Sequence, residues 1–221
     1  MVQKHLPQTL KRVSIFEKDF NEKRMKELVS GQPPWRSLVE VSRIVDPKIG
    51  AAFAPRSLHL EHLSLSYLVN AEDFFGACLP TWIWPRLQSL TLTSQLLRHP
   101  GRRPEVDTLL YEAGVTALQM PKLQTLVVWD GVEGNACAFI YHVDRDHASV
   151  TWRGTWDMAL SPRVVEVWQR VAFGRHPCAL RVEKEQVDGV IESHGDAISR
   201  LGLPCQVVAP ASLWQIRREA M

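Results

Sequence analysis

Three short stretches gather the side chains that could do chemistry. HVDRDH, residues 142–147, sets His142, Asp144, Asp146 and His147 close together, two imidazoles and two carboxylates of the kind that hold zinc or manganese. ESHGDA, residues 192–197, holds Ser193, His194 and Asp196, the residue types of a hydrolytic triad. RHPGRRP, residues 98–104, concentrates Arg98, Arg102 and Arg103 on a predicted loop before a helix, where they could meet an acidic partner.

Spacing weakens all three as catalytic sets. Neighbours across a hairpin turn need not converge, and Arg145 offsets Asp144 and Asp146, so a solvated turn rather than a metal site is expected there. His194 and Asp196 fall two apart in a predicted helix and do not share a face. Neither a Gly-x-Ser-x-Gly elbow, nor a phosphate-binding Gly-rich loop, nor an HExxH zinc helix occurs. The four cysteines, Cys78, Cys137, Cys178 and Cys205, are far apart in apolar surroundings and read as buried free thiols. No cofactor is expected and no catalytic set can be named. An enzyme would have to assemble its site from distant loops, with His142, Asp144, Asp146, His147 and His194 as first candidates. That small-molecule enzyme or metal-assisted hydrolase with a dispersed active site is the alternative reading.

The elements that would position these groups follow a Leu-x-x-Leu-x-Leu pattern. Leu10, Val13 and Ile15 give a loose first copy. Clear copies follow at Leu60, Leu63 and Leu65, at Leu87, Leu90 and Leu92, and at Leu123, Leu126 and Val128. SLVEV at 37–41 keeps half the pattern. The leucines point inward where coils stack, and the residues between them point the other way. Phe16, Ser64, Ser66, Thr91, Thr93 and Trp129 are thereby assigned to an open, protein-binding face, helped by Arg98, Arg102 and Arg103. Helices are predicted over 70–78, where Asn70 can cap the start, and over 102–120, where Pro104 opens the first turn and Gly114 weakens the pattern locally, although a continued or a broken helix accommodates it. Residues 134–156 alternate as a hairpin, 163–173 form an amphipathic helix, and the last third reads strand, helix, strand, short helix.

Two regions are expected, a repeat-like part over 1–131 and a hairpin with an α/β extension over 132–221, continuous with each other. The fold class is α/β, an irregular leucine-rich-repeat-like curved solenoid with parallel strands and an added hairpin; the alternative is a compact α/β domain. The chain has 221 residues, 45% of them hydrophobic, enough for a sizeable core. A net charge of +2 makes no broad case for nucleic acid or an anionic membrane. No stretch reaches the roughly 20 apolar residues of a membrane span, so an intracellular location, cytoplasmic or nuclear, is expected.

PRLQSLTLTSQLL, MPKLQTLVVWDG, ACAFIYHV, VTWRGTWDMALSPRVVEVW, IESHGDAI and VVAPASLWQI together resemble the carboxy-terminal region of fungal F-box-like or leucine-rich-repeat-like proteins. The resemblance implies a non-enzymatic protein-recognition or scaffold module, in fuller members the substrate-recognition part of a ubiquitin-ligase adaptor. It supplies no catalytic residue. An F-box is not apparent before the first repeat-like strand, so a ubiquitin-ligase component is an expected partner only if an F-box is supplied elsewhere; otherwise the partner is another protein.

Overall fold

The computed structural model describes residues 9–16, 47–144, 147–174, 179–205 and 207. The leucine copies become strands. β1 (Arg12–Phe16), β2 (His62–Asn70), β3 (Ser89–Thr93) and β4 (Thr125–Val132) lie side by side and parallel. Their register stacks the repeated positions: Leu63, Leu90 and Leu126 form one row, and Leu65, Leu92 and Val128 the next. β5 (Asn135–Val143) and β6 (Ala148–Gly154) continue the sheet as an antiparallel hairpin, and β7 (Leu180–Gln186) closes it in parallel with β6. The strand order equals the chain order.

Helices α1 (Pro47–Arg56), α2 (Ala71–Gly76), α3 (Arg103–Ala117) and α4 (Pro162–Phe173) cover one sheet face. The alternation of the strands decides what meets them. Leu126 and Val128 of β4, Phe139 and Tyr141 of β5, and Val150 and Trp152 of β6 all enter that core. The start of α4 is fixed locally: Ser161 Oγ accepts from Val164 N at 3.4 Å, and Pro162 occupies the first turn. Val164, Val167, Trp168 and Val171 then face inward, and Trp168 Nε1 donates to the Leu110 carbonyl of α3 at 3.0 Å.

A short helix, α5 (His194–Leu201), lies on the opposite sheet face. Ala197, Ile198 and Leu201 pack there with Val127, Trp129, Ala138 and Ile140. This arrangement overturns the leucine-rich-repeat-like solenoid. The sheet is mixed, its helices are irregular in length and placement, and both faces carry packed layers, so the fold is a compact α/β domain. The inward leucines were legible because a strand buried beneath helices needs them in any α/β protein.

The predicted open face is corrected with the fold. Ser66 and Trp129 are 0% exposed, Thr91 1% and Thr93 3%, while Ser64 and Phe16 are half-buried. The C-terminal rhythm also shifts. The helix expected directly after the first of those strands begins only at His194, because Gly189 sits at φ +85°, a left-handed conformation suited to glycine, in the turn before it. SLVEV and the expected last helix lie outside the described residues, as does most of the expected last strand, CQVVAP at 205–210. Among the described residues, no helix is long and apolar enough to cross a membrane.

Candidate functional site

The carboxyl ends of β2, β3 and β4 share one rim, the position at which open α/β sheets place ligands. Each strand delivers polar groups there. β2 does so through an irregularity: its pairing with β3 jumps from Leu65 opposite Leu92 to Asn70 opposite Thr93. The intervening chain puts Tyr67 at φ 61°, a conformation that strains a bulky side chain. Its N–H donates to Thr93 Oγ1 at 2.7 Å and its hydroxyl donates to the Gly131 carbonyl at 2.6 Å. The side chain is buried, and that burial, with Asp130 nearby, holds its pKa well above the usual value.

β4 delivers Asp130, which is 0% exposed. Arg98, from the 3-10 turn Gln95–Arg98 after β3, grips it with Nε at 2.7 Å from Oδ2 and Nη2 at 3.1 Å from Oδ1. Burial pushes the Asp130 carboxyl up, and Arg98, His194 and His99 pull it back down. From α5, His194 Nδ1 meets the Gly131 carbonyl and lies 3.3 Å from the Tyr67 hydroxyl. Four elements thus tie one polar cluster to the end of the sheet.

The same rim opens to solvent beside α2. Asn70 ends β2, α2 follows at once, and Glu72 of its first turn turns back toward Ser94 at the end of β3. Glu72 lines a groove of about 280 Å³ with Pro104, Glu105, Thr108, Leu109 and Glu112 of α3. The helix period explains the α3 contribution, since 105, 108, 109 and 112 fall on one face. Glu72 is half-buried and its Oε2 has no hydrogen-bond partner. Burial raises its pKa first; the backbone N–H and Ser94 oppose that, Asp73 adds to it, and Arg102 opposes it. Glu105 is different: it is exposed, and Arg102 Nε donates to it at 3.1 Å. The groove therefore holds three carboxyl groups, the compensated Glu105, the exposed Glu112 and the poised Glu72, over an apolar floor of Pro104 and Leu109.

The residues singled out by sequence disperse. His142 Nδ1 pairs with Thr125 Oγ1 at 3.1 Å, and His147 Nδ1 lies 3.3 Å from Asp144 Oδ1 on the exposed turn; Asp146 lies outside the described residues. His194 sits in the rim cluster, on another element. Among the described residues, no group of three or more His, Cys, Asp or Glu side chains is placed to hold a metal. Ser193 caps α5, its Oγ accepting from Asp196 N at 3.2 Å, and Asp196 pairs with Arg200 at 2.8 Å, so they form no triad with His194. Arg98 is committed to Asp130, Arg102 to Glu105, and Arg103 lies 5.8 Å over the Trp156 ring. Burial pushes the Cys78 and Cys137 thiols up to about 12, which removes them as nucleophiles at neutral pH.

Glu72, Asp130 and Tyr67 escaped the sequence reading. Asp130 had a signal, a charge inside the apolar strand TLVVWDGV, which demands a buried partner. Glu72 had only its place in the first turn after a strand. Tyr67 had none, because its strain arises from pairing with β3.

No curated protein and no solved structure matches this chain. The leucine-rich-repeat and F-box-like descriptions find no support in the comparisons. What does match is the model of a family of unknown function, DUF6546, over residues 5–209, nearly the full extent of the sheet and helices described above; the chain belongs to that family.

Proposed function

We propose that this domain acts on a small cationic molecule, an amine on a short aliphatic body, bound in the groove between α2 and α3. One observation carries the reading: the carboxyl of Glu72, raised by burial and with Oε2 unpartnered, lines an open groove at the carboxyl ends of parallel strands. A carboxyl held between solvent and core is suited to exchanging a proton with a bound amine. Glu112 adds negative charge, Thr108 adds a hydroxyl, and Pro104 with Leu109 accept a methylene chain. At about 280 Å³ the groove suits a molecule of a few heavy atoms rather than a large cofactor.

Thermal-shift titration of the purified protein with butylamine and 1,4-diaminobutane tests this. Wild type is expected to be stabilised in a saturable way, and Glu72→Gln to lose at least about tenfold in affinity, the cost of one charge-assisted contact. Glu105→Gln, whose carboxylate already serves Arg102, should lose much less. An absence of any shift, or equal shifts in wild type and Glu72→Gln, would remove the groove as the site.

A protein-recognition role rests on a separate observation. The loop between α2 and β3 exposes Leu79 (53%) and Ile83 (57%) beside half-buried Trp82. If a protein partner docks, this loop is the surface we assign to it.

A further inference from the structure

The layer on the second sheet face differs from the main core. Residues 188–201 are hydrogen-bonded largely to one another. Ser193 caps α5, Asp196 pairs with Arg200, Glu192 N donates to Asp196 Oδ2 at 3.1 Å, and Arg200 Nη1 donates to the Asp188 carbonyl at 2.8 Å. Gly202, at φ 50°, ends the helix in the left-handed conformation. Ties from this unit to the sheet and its hairpins include Gly134 N to the Ile191 carbonyl at 2.8 Å, Arg153 Nη1 to the Leu201 and Gly202 carbonyls, His194 to Gly131 and Tyr67, and the Cys205 thiol at 3.1 Å from Thr91 Oγ1.

The second sheet face is largely apolar but includes polar groups left without partners. Three fully buried tryptophans on the helical side have acceptors: Trp84 on Ser57, Trp152 on Trp156 and Trp168 on Leu110. Trp129, equally buried on the second face, has none for Nε1. Ser64 and Ser66 on the same face also carry buried unpartnered hydroxyls. Unmet polar groups of this kind are rare in well-fitted layers and weaken adhesion between the layers.

We propose that α5, with the turn before it and residues 202–205 after it, is a separable cover that opens from the sheet as one unit while the sheet and the helices of the main core stay folded. Opening carries His194 away from Tyr67 and Gly131, and so removes one of the contacts that hold the strained end of β2 at the rim. The cover is thereby a device that alters the candidate site from the opposite face, and it stands whether or not the groove binds amines.

Hydrogen exchange on the full chain, read by mass spectrometry, tests the cover in two ways. In the wild type, amides of 195–201 are expected to exchange at least about tenfold faster than those of 126–131 in β4, with weak dependence on denaturant, the signature of sub-global opening. Thr91→Cys places a second sulfur against Cys205. Its oxidised form should slow exchange of 195–201 by about tenfold and leave 126–131 unchanged, with reduction restoring the wild-type pattern. Exchange of both segments at one rate with one denaturant dependence overturns the proposal. So does an oxidised Thr91→Cys protein that matches its reduced form, or failure of the disulfide to appear in peptide maps.

Discussion

A charge that is only half hydrated is the most informative residue-scale feature. Burial raises the Glu72 pKa, so the folded state favours its protonated form. The sign of the linkage follows. The folded pKa lies above the unfolded one, so the ionised carboxylate costs stability above the folded value, and this cost fades as pH falls through the ordinary glutamate range near about 4. Glu72→Gln keeps the shape and removes the ionisation. It is expected to raise the urea midpoint at neutral pH and to leave it unchanged near pH 4, so the two unfolding curves should converge on acidification. A constant difference at all pH values would mean that Glu72 acts through its hydrogen bond to Ser94 rather than through charge. Asp130 makes the complementary case. There Arg98 grips both carboxylate oxygens, whereas Glu72 keeps one oxygen, Oε2, without a partner.

At the scale of elements, much was legible and the exceptions have causes. The hairpin over 134–156 is β5 and β6, and the amphipathic run after Pro162 is α4, because period-2 and period-3.6 patterns need only near neighbours to be read. Gly114 counted against its helix in the sequence, yet α3 runs straight through it to Ala117. The reason is tertiary. A Cβ at Gly114 would stand 2.5 Å from Val167 Cγ1 and 3.2 Å from Trp168 Nε1, so the glycine lets α3 and α4 touch. Two opposed magnitudes set the outcome of Gly114→Ala. Helix propensity favours it by about 1 kcal/mol, whereas overpacking costs about 1–3 kcal/mol. A net loss of about 1 kcal/mol is expected by urea unfolding. In a Val167→Ala background the closest overlap is gone and only the 3.2 Å approach to Trp168 Nε1 remains, so adding Gly114→Ala should then cost less than it does in the wild type. If Gly114→Ala stabilises the wild-type protein directly, the helix contact is looser than described.

For the whole molecule, the sequence could place leucines on rows but could not say what covers the other face. Ser64, Ser66, Thr91, Thr93 and Trp129 look like an open surface because small hydroxyls and one indole are as acceptable in water as beneath a helix. For Trp129 it is the docking of α5, more than fifty residues away in sequence, that distinguishes the two; Thr91 instead meets Cys205, and Thr93 meets Tyr67. The sheet's free end poses the opposite problem, a strand left uncovered. β7 is at the edge of the sheet, and nearly all of it is exposed, including Val182 at 46%. Its sequence, LRVEKEQ, alternates charge, and Lys184 pairs with Asp157 at 3.0 Å while Glu185 pairs with Arg153 at 2.6 Å. Such charges hinder edge-to-edge pairing with another chain. Lys184 shares a face with Val182, so Lys184→Val would lay two apolar residues along the open edge. The lost surface ion pair should cost less than about 1 kcal/mol in the folded monomer, so any larger effect must come from association. Light scattering after size exclusion is expected to show the variant's apparent mass rising with concentration relative to wild type, with the unfolding midpoint of dilute samples nearly unchanged. Equal masses at every concentration would show that the edge is protected by its twist or its neighbours rather than by Lys184.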